Sequence, residues 1–378
     1  MSERRPIIDK SADTLELFFD LVFVFAITQV VKLIIHDLTP SGVFHGLLVL
    51  ALLWWGWGNF TWATNSVDLS PRWVRVGVLV AMAPVFVMSQ AVPFAFEGKG
   101  LWVAVGYVIV RAIALWLSWL GARDDEEQAR GIRLYASAGV VGPLLIIVGT
   151  FMGDGMQWWW LAGFLAELAA SGVAGQAEWH LAPGHFAERH GLIIIIALGE
   201  AIIAVGAAVV DETPSVGLAN LLAAGLLGAA TMYWAYFDRL QEVWEHAFAA
   251  AGPKEKGTFA RDVYSILHYP IIAGIVLYAS GVEEAVLHPN DPLIGEVRWL
   301  IGGALAAFLL AMAAATWRAR RILLYERIIG SAVIGAVLWA VGDTPAQTVL
   351  FVVTLILIAT MAIEWMRFTS ARKAEAAA

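Results

Sequence analysis

Twelve stretches of this chain run for close to a full membrane thickness with almost no charge, and nothing else in it limits the fold as strongly. A helix needs about 20 mostly apolar residues to cross about 30 Å of hydrocarbon. Only helices and closed barrels can do so, because every backbone N–H and C=O must find its partner internally. The stretches lie near 15–35, 43–63, 73–92, 101–121, 134–151, 158–175, 191–210, 216–238, 263–282, 298–317, 328–342 and 345–366. The eleventh is short and the third carries Pro84, so these two are the places for a tilt or a break. Only 15% of residues are charged and mean hydropathy is +0.73, whereas soluble domains carry about 25% charge. The sequence therefore predicts an all-α membrane protein of about twelve transmembrane helices.

The basic residues give a second, independent reading of the same count, since short cytoplasmic loops collect Lys and Arg. Of 24 such residues, 20 fall in the N-terminus, the even-numbered loops and the C-terminus. Lys99 stands alone on the other side, and Lys32, Arg111 and Arg298 lie in or at the edge of spans. That sorting puts both termini in the cytoplasm. Tryptophan fits the frame as an interfacial residue: Trp158, Trp159 and Trp160 open span six, and Trp54, Trp55, Trp57 and Trp62 crowd one half of span two. The N-terminal segment runs into span one without a cleavage signal, so span one is expected to be retained.

Sliding the chain along itself by about half its length produces ordered coincidences. Asp20 falls on Glu200, and Trp55, Trp57 and Asn59 fall on Trp234, Tyr236 and Asp238. Arg72 falls on Arg261 ahead of spans interrupted by Pro84 and Pro270. Two six-helix repeats are expected, 1–180 and 181–378. Six is an even number, so they would be parallel, related by an axis along the membrane normal, with spans one and seven lining any path between them.

An ionisable group deep in the bilayer costs about 2.5 to 3.5 kcal/mol or more and marks a candidate functional position. Glu16 and Asp20 are four residues apart on one face of span one. Glu200 lies near the middle of span seven, and Arg189 precedes it by eleven residues, which leaves the two about 20° apart around the helix. Glu188 and His185 stand with Arg189 at the entrance of that helix. Arg111 in span four needs a counter-charge, with Glu167, Glu200 and Asp20 as candidates; His268 in span nine is a further buried ionisable. His180, His185 and His190 recur every five residues, a spacing that spreads them about 140° apart on a helix and matches no zinc pattern.

Several classes are set aside. The chain has no cysteine, which removes disulfides and thiolate chemistry. Its net charge of -8 offers no basic footprint for nucleic acid. It contains no P-loop, GxSxG or HExxH motif, so no enzyme, cofactor or metal centre is expected. Small pairs such as Gly42 and Gly46 permit close helix approach, within the chain or in a homo-oligomer.

The runs LELFFDLVFVFAITQVVKLI (Leu15 to Ile34) and HFAERHGLIIIIALGEAIIAVG (His185 to Gly206) resemble the two signatures of the bacterial low temperature requirement A (LtrA) family. By residue type, Glu16, Phe18, Phe19 and Asp20 match the first, and His185, Glu188, Arg189, Gly199 and Glu200 the second. Lys32 departs from the first pattern. The resemblance implies a multi-pass protein of the bacterial cytoplasmic membrane and supplies no substrate. From the buried acids, a proton- or cation-coupled secondary transporter for a small solute or cation is expected. The alternatives are a cation channel narrowed by Phe19, Phe23, Ile194 or Ile196, and a lipid-acting or lipid-binding membrane protein.

Overall fold

The computed structural model describes residues 11–175, 177–207, 215–288 and 290–377, with side chains described as far as residue 370. The described residues are predominantly helical, and the one extended pairing among them is an isolated bridge between Pro292 and Pro345. In order, the helices are α1 (Thr14–His36), α2 (Pro40–Ser66), α3 (Arg72–Ala91), α4 (Gly100–Ala122) and α5 (Glu126–Ala138). There follow α6 (Val141–Gly149), α7 (Met156–Ala174), α8 (Pro183–Ala207), α9 (Val216–Phe237) and α10 (Leu240–Ala250). The chain continues through α11 (Pro253–Phe259), α12 (His268–Leu287), α13 (Gly295–Arg320), α14 (Tyr325–Ala340) and α15 (Ala346–Ala377).

Within the described residues the twelve apolar stretches lie mostly in helix, but nine helical segments there are long and apolar enough to cross a membrane. Three differences separate the two numbers. Stretches 73–92 and 101–121 lie in one 51-residue helical segment, broken where Gly98 takes φ of +92° beside a non-helical Glu97. A residue without Cβ is what that left-handed turn requires. Helix α7 carries Gln157, Glu167 and three tryptophans, which dilute its apolar content, and α14 has only 16 residues.

Two compact units emerge. The first gathers the chain up to Asp37, Ser41–Ile193 and Trp244–Tyr269; the second gathers Leu38–Pro40, Ile194–Val243 and Pro270–Ala378. In the first, α1 packs on α3, α3 on α4, and α7 on α5 and α6. Asp13 starts α1 with a capping box: its side chain accepts from Leu15 N at 2.8 Å while its own N–H donates to Glu16 Oε2 at 2.9 Å. Gly42 and Gly46 serve contacts inside the chain, since a Cβ on either would collide with Asp37 and Ile34. Ahead of α12 the chain widens into a π-helical stretch, Ala260–Ile266. Pro270 sits in the first turn of α12, where a missing N–H is tolerated.

In the second unit α9 packs on α15, and α14 on α13 and α15. Its centre holds a guanidinium. Arg327 donates to both oxygens of Glu364, from Nε at 2.7 Å and Nη2 at 2.9 Å, and Nη2 also reaches the Ala235 carbonyl at 2.9 Å. Removing one partner of a buried ion pair strands the other and costs about 3–5 kcal/mol, whereas replacing both with apolar groups is often neutral. Arg327→Met alone is therefore expected to destabilise the detergent-solubilised protein by about that amount. Arg327→Met with Glu364→Leu should recover most of the loss, as read by thermal unfolding of the two variants.

Candidate functional site

The buried acids of α1 meet the basic end of α8 inside the first unit. Glu16 occupies the first turn of α1 and Asp20 the next turn on the same face; the side chains are 0% and 1% exposed. Arg189 lies between them and bridges both, donating from Nη1 to Glu16 Oε1 at 2.6 Å and from Nη2 to Asp20 Oδ1 at 2.7 Å. Helix α2 closes the third side. Trp57 donates from Nε1 to Asp20 Oδ1 at 2.9 Å, and Thr64 Oγ1 lies 3.5 Å from Arg189 Nη1. Trp57, Thr61 and Asn65 recur every four residues along α2, a spacing that puts polar tips on one face.

Asn65 determines the state of His185. The Ala182 N–H can only donate, so at 2.9 Å it identifies the Asn65 oxygen. The amide nitrogen then donates to the Ala182 carbonyl at 3.1 Å and to His185 Nδ1 at 3.0 Å. With Nδ1 accepting, the imidazole proton sits on Nε2, which donates to Glu16 Oε2 at 2.9 Å. Glu188 stands one turn after His185 and next to Arg189, half-buried, and takes the Ala12 N–H on Oε2 at 2.8 Å.

The two carboxylates are treated differently. Glu16 takes donors on both oxygens: Arg189 on Oε1, and the Asp13 N–H and His185 on Oε2. Asp20 takes Arg189 and Trp57 on Oδ1, while its buried Oδ2 has no hydrogen-bond partner among the described residues. With both acids ionised and His185 neutral, one guanidinium faces two negative charges. The cluster therefore has room for one more positive charge, at the open oxygen of Asp20.

Arg111 belongs to a separate cluster of the same unit. Of its three candidate partners it takes Glu167, donating from Nε to Oε1 and from Nη2 to Oε2 at 2.8 Å. Tyr135 donates to the same Glu167 Oε2 at 3.1 Å and accepts from Trp55 Nε1 at 3.0 Å. The pair fits only because glycine lies beside it: a Cβ on Gly142 would come within 2.6 Å of Glu167 Cγ. Glu200 is 2% exposed on α8 and belongs to the second compact unit. Lys32 is exposed on α1. The three evenly spaced histidines go to three different partners. His180 meets Asp125 at 2.6 Å, His185 meets Glu16, and His190 donates from Nδ1 to the Phe186 carbonyl at 2.8 Å. His268 likewise donates from Nδ1, to the Val263 carbonyl at 2.8 Å.

Asn65, Thr64 and Trp57 were not legible as parts of this site, although the four-residue spacing of Trp57, Thr61 and Asn65 on α2 is a signal for two of them. Arg327 reads in the sequence as one more loop cation, yet its side chain is 1% exposed; Glu364, an acid near the end of an apolar stretch, is the clue to it. The unequal roles of the two α1 acids make a direct expectation. Glu16→Gln should lower thermal stability by about 2 kcal/mol or more, since charge-assisted bonds contribute about 1.5–3 kcal/mol each. Asp20→Asn, which keeps an acceptor for Arg189 or Trp57, should cost less than half as much in the same melt.

A family model described as bacterial low temperature requirement A protein (LtrA) matches residues 11–362. An uncharacterised protein of Rhizobium meliloti (strain 1021) is 27% identical over 353 residues, covering 85% of this chain and 81% of its own. No solved structure matches the chain. The family match takes in the acidic turns of α1, the basic entrance of α8 and the first half of α15, and the chain is a membrane protein of the bacterial low temperature requirement A family.

Proposed function

We propose that this protein is a proton- or cation-coupled secondary transporter of the bacterial cytoplasmic membrane, with Asp20 as the group that exchanges the coupling ion. One observation carries the reading: Asp20 is fully buried beside Arg189, and among the described residues one of its two oxygens has no partner. A buried acceptor left open is costly, and such groups inside membrane proteins mark ion and proton paths. A proton or small cation at Oδ2 balances the cluster charge and weakens the hold of Asp20 on Arg189. Arg189 then remains with Glu16, whose own position is tied to the cap of α1 and to His185. Glu188 and His185 guard the entrance of α8, and Glu200 supplies the acid of the second repeat.

In this reading the chain crosses the membrane twelve times as two parallel six-helix repeats, 1–180 and 181–378, with both termini cytoplasmic. The sorted basic residues support the topology. The repeat draws support from a shared device: each half buries one bidentate Arg–Glu pair, Arg111 with Glu167 and Arg327 with Glu364. In both, the acid lies on the sixth apolar stretch of its half. The protein works without a catalytic centre or cofactor.

Proteoliposomes under an imposed pH gradient, with Na+ or K+ outside and internal pH read by pyranine, provide the test. The wild-type protein should carry saturable proton flux. Asp20→Asn should abolish that flux while keeping its thermal melt. Full flux through Asp20→Asn overturns the assignment, and ohmic, non-saturating current would assign a channel instead.

A further inference from the structure

Beside the α1–α2–α8 cluster the first unit holds a cleft that opens to solvent, with about 660 Å³ of empty space counting its open mouth. Four tryptophans line it, Trp54, Trp55, Trp62 and Trp179, with Tyr135 and a cation, Arg261. The cleft is built. Each indole N–H is already committed: Trp54 to the Ser265 carbonyl at 2.7 Å, Trp62 to Ser265 Oγ at 3.0 Å, Trp55 to Tyr135 and Trp179 to the Ala174 carbonyl at 3.0 Å. What these rings leave to an occupant is carbon surface. Trp179 is clasped between Gly131 and Gly257: a Cβ at Gly257 would strike the ring, and one at Gly131 would crowd it at 3.1 Å. Arg261 and Ser265 are presented by the π-helical stretch ahead of α12, a geometry frequent at functional sites.

Arg261 sets the charge of the occupant. It spends Nε and Nη2 on one oxygen of Asp262, at 2.8 and 2.6 Å, while among the described residues Nη1 reaches only the Gly172 carbonyl at 3.5 Å. Gly175 keeps space at that nitrogen, with a Cβ there falling 3.0 Å from Nη1. An aromatic cage alone would suit an organic cation, but Arg261, though paired with Asp262, keeps the Nη1 donor at the wall, and a guanidinium donor favours an anionic head. We propose that this cleft binds an amphipathic monoanion, its apolar body against the tryptophans and its carboxylate or phosphate head on Arg261. The proposal is independent of the transport reading.

Gly58 gives a clean test, because it lines the cleft on α2 and a Cβ there meets nothing within 4 Å. Leucine at this position fills the space and favours helix, so the variant should fold and melt at or above the wild-type temperature. The probe is 1-pyrenebutyrate, with its methyl ester and a trimethylammonium analogue, titrated into the full chain in phosphatidylcholine nanodiscs against empty discs. The expected result is saturable, one-to-one binding of the acid alone, about tenfold weaker in Arg261→Gln and lost in Gly58→Leu. Competition by phosphatidylglycerol in the disc would support the site with a bilayer lipid as its occupant; its absence would support it with a soluble amphiphile. Binding no different from empty discs, undiminished binding by a folded Gly58→Leu, or preference for the cationic analogue would overturn the proposal.

Discussion

A guanidinium cannot be carried into a low-dielectric interior alone. Arg189 is buried where α1, α2 and the start of α8 come together, and the first turns of α1 are arranged around it. The capping box fixes Glu16 from the backbone side, His185 fixes it from α8, and Asn65 on α2 fixes His185 in turn. Three helices are thereby locked by the requirement that one cation keep its counter-charges. The same requirement recurs at Arg111 and Arg327, each held by both oxygens of one glutamate. Those two pairs are closed, one charge against one. The Arg189 cluster is open, with two acids against one guanidinium and an acceptor to spare. Charge count separates the two closed locks from the open cluster.

Much of this was legible in the sequence, and the reasons differ by residue. A charge inside an apolar stretch is conspicuous because its cost is large, so Glu16, Asp20, Arg111, Glu167 and Glu200 announced themselves. Periodicity put Glu16 and Asp20 on one face, and both are buried there with Phe19 while Phe18 between them is exposed. What periodicity cannot supply is the partner across helices. Arg111 had three candidate acids, and only packing selects Glu167, through glycines at 139 and 142 that clear space for the pair. Arg327 was hidden because a cation at a helix start reads as a loop charge. Asn65 was hidden because an uncharged amide carries no penalty large enough to notice, although it decides where the His185 proton sits.

The tryptophans show the same limit from the apolar side. Their abundance in α2 reads as interfacial anchoring, and rings such as Trp158 are indeed exposed. Trp54, Trp55 and Trp57 are instead buried with their N–H groups used as fixed donors. A buried indole must satisfy that one donor, and each bond specifies a ring orientation that composition cannot reveal.

That orientation joins the two polar regions of the first unit. Trp54 lines the cleft and stacks on Trp57 with centroids 5.0 Å apart and planes 26° from parallel. Among the described residues, Trp57 is also the one side chain besides Arg189 that donates to Asp20. Both rings sit against His190, at 5.9 and 5.0 Å, so neither can turn without displacing a third buried group. Close-packed interiors transmit such shifts instead of absorbing them. An occupant that moved Trp54 would therefore act on the hydrogen bond that positions the open carboxylate, through a contact two rings long.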